Sequence, residues 1–252
     1  MSYGLWLSAA GLQVNQHRQA VIANNLANLG TAGFKRDLAV FRERDVESRT
    51  APGATALRHR LLDRMTGGTW LNPTRTDFSQ GALEKGGPLD VAIEGNGFFT
   101  VQVGDQTRYT RDGRFTLNAS GDLVTVAGGH AVLDANGQAI HIGRADPNSI
   151  AIESGGRMSI GERRVGTLGV TDFADRSRLI KVGQNLFDGQ HAEPTEPTGQ
   201  VQQGYVEASG VEPTTELVQM IEAARAYQLN AMLISLQDGM TARTVNDVGR
   251  VA

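Results

Sequence analysis

The sequence has no cysteine, which removes disulfides, thiolate metal sites and cysteine nucleophiles. No stretch reaches the roughly 18 apolar residues that a membrane-spanning helix needs. The N-terminus shows neither a basic n-region nor a compact apolar h-region, so no general secretory signal is expected. No block of like charge stands out. With 24 basic and 27 acidic residues the net charge is −3, which argues against binding nucleic acid or anionic membrane through bulk charge. Arg42, Arg44, Arg58, Arg60 and Arg64 make a loosely basic stretch interleaved with acids, read as solvated surface.

Charge is also missing from the two ends. Between Met1 and Phe34 the only fixed side-chain charge is Arg18, and Ala226 to Gln237 carries none. An ordinary surface helix has a charged wet face, so most of the circumference of these two is expected to be covered. Leu5, Ala9, Leu12, Gln16, Gln19, Ala23 and Leu26 follow alternating steps of four and three. Leu217, Met220, Ala224, Tyr227, Ala231 and Ile234 do the same. Second apolar lines run through Leu7, Val14 and Val21, and through Leu229, Leu233, Leu236 and Met240. Two lines per helix imply two contact surfaces, one for the other terminus and one for a neighbouring subunit. A pair of core helices in a monomeric bundle is the plainer alternative.

The spacing predicts a first helix over residues 2–28 with Ser2 as N-cap, ended by Asn28, Gly30 and Gly33. Phe34 is expected to dock back on it. Residues 36–47 read as a short helix, and a second helical piece is expected near Leu57–Met65. Pro213 is expected to open the last helix, with Glu212 and Glu216 suiting its dipole. Between the helices most of the 31 glycines punctuate short alternating runs. These predict strands at Leu89–Ile93, Phe98–Val103, Leu123–Val126, Ser149–Ile152, Arg157–Ile160 and Val165–Phe173. Asp112-Gly113 and Asn136-Gly137 are expected as hairpin turns. The fold class is therefore α+β. Residues 1–35 and 206–252 form a terminal helical domain, 36–69 a connector, and 70–205 a β-rich antiparallel domain.

No constellation carries chemistry. The five histidines are scattered without metal spacing, and G-x-S-x-G and D-x-D-x-D-G are both missing. Gly95-Asn96-Gly97 falls between two strands rather than before a helix, so it fails as a phosphate cradle. Asp90, Glu94, Asp105 and Asp112 have no spacing that pairs them. No enzyme activity, cofactor, metal, nucleic acid or small-molecule substrate is expected.

Three segments resemble bacterial flagellar rod and hook proteins. They are Asn24–Asn28 followed by Thr31–Lys35; Pro88–Phe99 continued by Tyr109–Phe115; and Gly204–Ser209 followed by Glu216–Ile221 and Ala224–Gln228. The chain's length and the short connector after Phe41 look most like the proximal rod subunit, while Tyr109–Phe115 and Gly204–Ser209 look like the distal one. The resemblance implies a structural subunit of a hollow axial tube that transmits torque. It implies export through the flagellum's own channel into the periplasm. The implied partners are copies of the same chain, other axial proteins of rod and hook base, and the flagellar export apparatus. Expected subunit-interface residues are Leu5, Leu12, Asn24, Asn25, Leu26, Phe34, Leu217, Met220, Ile221, Tyr227 and Ile234. Asn24 and Asn25 are expected to bond to backbone across subunits. A secreted β-rich binding module with a helical stalk is the alternative. Such a stalk should carry Glu and Lys on its flanks.

Overall fold

The computed structural model describes residues 3–44 and 68–248. The helical piece expected at Leu57–Met65, most of the connector and the Ser2 cap lie outside the described residues. The chain divides into two compact units, one of residues 1–27, 37–75 and 212–252, the other of residues 28–36 and 76–211.

The first unit holds the two helices, Tyr3–Ala27 and Pro213–Val248. Proline begins the second as its fixed φ and missing donor allow, and Glu216 sits in its first turn beside the positive end of the helix dipole. The helices run antiparallel, with contacts repeating every seven residues. A Cβ on Gly4 would meet Gln237, and one on Gly11 would lie 3.0 Å from the Asn230 amide. Arg18 reaches Glu222 at 3.8 Å, and Asn25 reaches Glu216 at 3.3 Å. Glycine opposite a polar amide lets the two backbones approach closely. Of the helix expected over 36–47, none forms in the described residues 36–44. Phe41–Glu43 is a strand, paired antiparallel with Thr69–Leu71 in the register Phe41 opposite Leu71. The cross-strand partner overrides a local pattern too short to nucleate a helix.

The second unit is β-rich and antiparallel throughout. Its largest sheet runs in the order Ile180–Gly183, Leu186–Asp188, Gln106–Thr110, Phe98–Val103, Ala131–Val132, Leu123–Thr125 and Phe115–Leu117. Val170–Phe173 also pairs with Phe98–Val103. Val91, Ile93, Phe99, Val101, Val132 and Met158 are fully buried in its main core. A second cluster of Phe98, Phe173 and Phe187 takes in Phe78 and Tyr109 edge-on or tilted.

Asp112-Gly113 is not the hairpin turn its sequence suggested. Gln106–Thr110 returns to Phe98–Val103 through Gly104 (φ 59°), and Phe115–Leu117 pairs instead with Leu123–Thr125. The Asp112 side chain accepts from the Arg114 backbone, and a Cβ on Gly113 would lie 1.6 Å from the Val91 carbonyl oxygen. Glycine is needed there for close approach, not for turning. Asn136-Gly137 does turn the chain, with Gly137 at φ 79° and Leu133 bridged to Ala139. The expected strand Val165–Phe173 is interrupted: Leu168 and Gly169 separate Arg163–Thr167 from Val170–Phe173.

Candidate functional site

The interhelical seam lies one residue from the line of large apolar side chains. It consists of Gly4, Ser8, Gly11, Asn15, Arg18, Ile22 and Asn25, whose spacing is also alternating fours and threes. Of these Ser8, Ile22 and Asn25 are buried. On the C-terminal helix the residues turned inward are Glu216 and Ala223, both buried, with Asn230 and Gln237 following.

The expected interface residues divide accordingly. Leu5, Leu12, Leu26, Met220 and Ile234 are half-buried. Leu217 and Ile221 are each 53 % exposed, and Tyr227 is exposed as well. Leu229, Leu233, Leu236 and Met240 are exposed on the same helix. The C-terminal helix thus presents a long apolar face that nothing within the described residues covers. Single exposed leucines need no explanation, but a contiguous stripe along a helix marks a contact surface.

Asn24 is exposed, whereas Asn25 is only 1 % exposed. The Asn25 amide donates to the Asp37 carbonyl and accepts from the Asp37 N–H, both at 2.9 Å, and donates to Glu216. The expected bonds across subunits are replaced, for Asn25, by bonds within the chain. They fasten the end of the first helix to the following segment and to the start of the last helix. Phe34 is buried in the β-rich unit, with the Lys181 ammonium 4.2 Å from its ring centre, so it has no free face for a neighbour.

A buried ionic cluster in the β-rich unit was not legible in the sequence. Lys35 Nζ donates to Glu207 Oε1 at 2.5 Å and to the Ser79 carbonyl at 2.7 Å. Arg111 donates to Glu207 Oε2 and to the Ile93 carbonyl at 3.1 Å each, and to the Gly95 carbonyl at 2.6 Å. Its guanidinium stacks on Phe98. Gly81 N–H completes the shell of Glu207 at 2.9 Å. Burial lowers the pKa of Lys35 and of Arg111, and the shared carboxylate opposes the fall in each. The four β-unit stretches Thr31–Lys35, Pro88–Phe99, Tyr109–Phe115 and Gly204–Ser209 all supply groups to this cluster. Its signal was charge inside otherwise apolar or turn-forming motifs. Among the described residues no group of three metal-ligating side chains occurs.

Comparison with known proteins matches three family models in chain order. Residues 7–35 match "Flagella basal body rod protein", 92–160 match "Flagellar hook protein FlgE/F/G D1 domain", and 202–247 match "Flagellar basal body rod FlgEFG protein C-terminal". The flagellar basal-body rod protein FlgG of Buchnera aphidicola (subsp. Baizongia pistaciae) is 37 % identical, over 94 % of this chain and 96 % of the relative. The rod protein FlgF of Caulobacter vibrioides is 36 % identical over 92 % and 91 %. FlgG of Bacillus subtilis is 33 % identical over 98 % and 99 %.

Proposed function

Because the chain belongs to the flagellar basal-body rod family and is a structural rod subunit, we propose that its uncovered helical face is the surface through which copies assemble into the shaft. The observation that carries this reading is the row of large apolar side chains exposed along Pro213–Val248. Burying each such side chain is worth about 1.5–3 kcal/mol, and repetition over many subunits would stiffen the shaft. Leu217 and Ile221 border this face. Tyr227 lies two residues, about 200° of helix, from Leu229 and joins the half-buried Met220 and Ile234 on the opposite flank, a second contact line, while Leu5, Leu12 and Leu26 are half-buried on the first helix. Asn24, exposed beside them, supplies a polar group that fixes register where apolar contacts slide.

In this reading the helical unit supplies the contacts between copies, and neither unit has a catalytic role. The chain leaves by the flagellar export apparatus and assembles in the periplasm with itself and other axial proteins. The proximal position is supported by the length and by the short segment after Phe41. The names of the relatives include both FlgF and FlgG at similar identity.

The test is an epitope inserted at the exposed residues 196–198, beyond the strand Pro194–Thr195, and labelled with gold on isolated hook–basal bodies. Label on the rod is expected, and its height reports proximal or distal position. Functional tagged protein with unlabelled basal bodies would overturn the assignment.

A further inference from the structure

The β-rich unit contains ten arginines, and seven of them are ion-paired: Arg36, Arg108, Arg111, Arg114, Arg157, Arg176 and Arg178. The other three are Arg144, Arg163 and Arg164, and all three line one cleft together with His141. The cleft has a volume of about 400 Å³ and opens to solvent. None of the three guanidiniums lies within ion-pair distance of a carboxylate among the described residues. Arg163 donates to the Ile142 carbonyl at 3.3 Å, and Arg164 to the Thr167 hydroxyl at 3.1 Å, so both partners are neutral. Asp122 is engaged by His141 at 2.7 Å, and Glu162 and Asp146, close in sequence to Arg163 and Arg144, form no ion pair with them.

The backbone holds this wall in place. Ile142 and Gly143 both donate to the Gly121 carbonyl, at 2.9 and 3.0 Å, and a Cβ on Gly121 would lie 2.5 Å from Gly143 Cα. Arg163 and Arg164 begin the strand Arg163–Thr167, paired with Arg157–Ile160. The loop carrying Arg144 and the strand carrying Arg163 and Arg164 are therefore fixed elements.

From this arrangement we infer that the cleft binds a multivalent phosphate group. Guanidinium forks match phosphate oxygens bidentately, and three unneutralised cations suit a dianion or trianion better than a single carboxylate. The net charge of the chain gives no hint of such a site, because the seven paired arginines mask the three that are free of carboxylates. The ligand is a soluble phosphoester or the headgroup of an anionic lipid, which share this chemistry.

The experiment titrates the full-length protein with pyrophosphate by calorimetry, and separately with vesicles of phosphatidic acid, a phosphomonoester lipid, in phosphatidylcholine. The wild type is expected to bind pyrophosphate saturably. R144Q/R163Q/R164Q is expected to lose about tenfold in affinity per arginine, with an unchanged melting temperature because all three side chains are exposed. R157Q, whose arginine is paired with Glu153, should bind like the wild type. Arginine-dependent binding to vesicles but not to pyrophosphate would identify the lipid headgroup as the source. Saturable binding of neither probe, or equal binding by the triple variant, would overturn the inference. Displacement of pyrophosphate by a glutamate-rich peptide at equal concentration would also overturn it, in favour of an acidic protein segment.

Discussion

Glu207→Gln should be the most informative single change in the β-rich unit. Glu207 and Lys35 side chains are each 1 % exposed, and Arg111 is 3 % exposed. Both carboxylate oxygens face donors: Oε1 accepts from Lys35 and Gly81, and Oε2 from Arg111. A glutamine amide has one acceptor and one NH₂, so either orientation turns a donor against a donor. It also leaves two buried cations without a counter-charge. Removing one member of a buried ion pair costs about 3–5 kcal/mol, a large share of the 5–15 kcal/mol that stabilises a typical domain. At roughly 2–4 °C per kcal/mol for a unit of this size, melting should fall by about 6–20 °C. The measurement is urea-dependent amide exchange of strand Phe98–Val103, which reports this unit alone. Adding Lys35→Met removes one of the stranded cations, so the double variant should recover part of the loss. A cost below about 1 kcal/mol, or strict additivity of Lys35→Met and Glu207→Gln, would refute the reasoning.

Gly113→Ala should prevent the β-rich unit from folding, because its new methyl group meets the Val91 carbonyl oxygen rather than a movable side chain; soluble expression and strand amide protection would check this. Leu229→Glu with Leu236→Glu should leave the melting of the isolated chain within about 0.5 kcal/mol, since both side chains are exposed, yet abolish rod assembly scored by motility and by electron microscopy of basal bodies. Asn25→Ala should cost about 1–3 kcal/mol in the helical unit through the stranded Asp37 groups and Glu216, while strand exchange in the β-rich unit stays unchanged. Acid should weaken the β-rich unit. Burial raises the Asp172 pKa, but hydrogen bonds from Arg176 and the Phe173 backbone and the nearby arginine charges outweigh it, so the folded value lies below 3.8. A depressed carboxylate contributes stability above its unfolded pKa and loses it as pH falls through the folded one. The urea midpoint should therefore drop below about pH 4, and Arg176→Gln should flatten that drop.

The sequence by itself determined the two long helices and most of the strands between them, though not Phe41–Glu43, where a helix was expected and a strand forms. Uncharged helical ends, glycine-punctuated strands and three ordered motifs follow from composition and local pattern, and all belong to short-range physics. Proline opened the last helix where it was expected, and Asn136-Gly137 turned the chain. Tertiary structure alone decided which face of each helix meets the other. Hydrophobic periodicity identifies residues that must leave water, but it does not say whether the same chain or another copy covers them. Here glycine and amides made the closest approach, shifting the seam by one residue from Leu5 and Leu12 to Gly4 and Gly11. Tertiary structure also decided the role of Asp112-Gly113, since a close approach to Val91 is a long-range event with the same local signature as a turn. It likewise brought Lys35, Arg111 and Glu207 together from positions far apart in the chain, and left Arg144, Arg163 and Arg164 without a carboxylate partner among the described residues. Charge pairing depends on which strands become neighbours, and no local pattern encodes that.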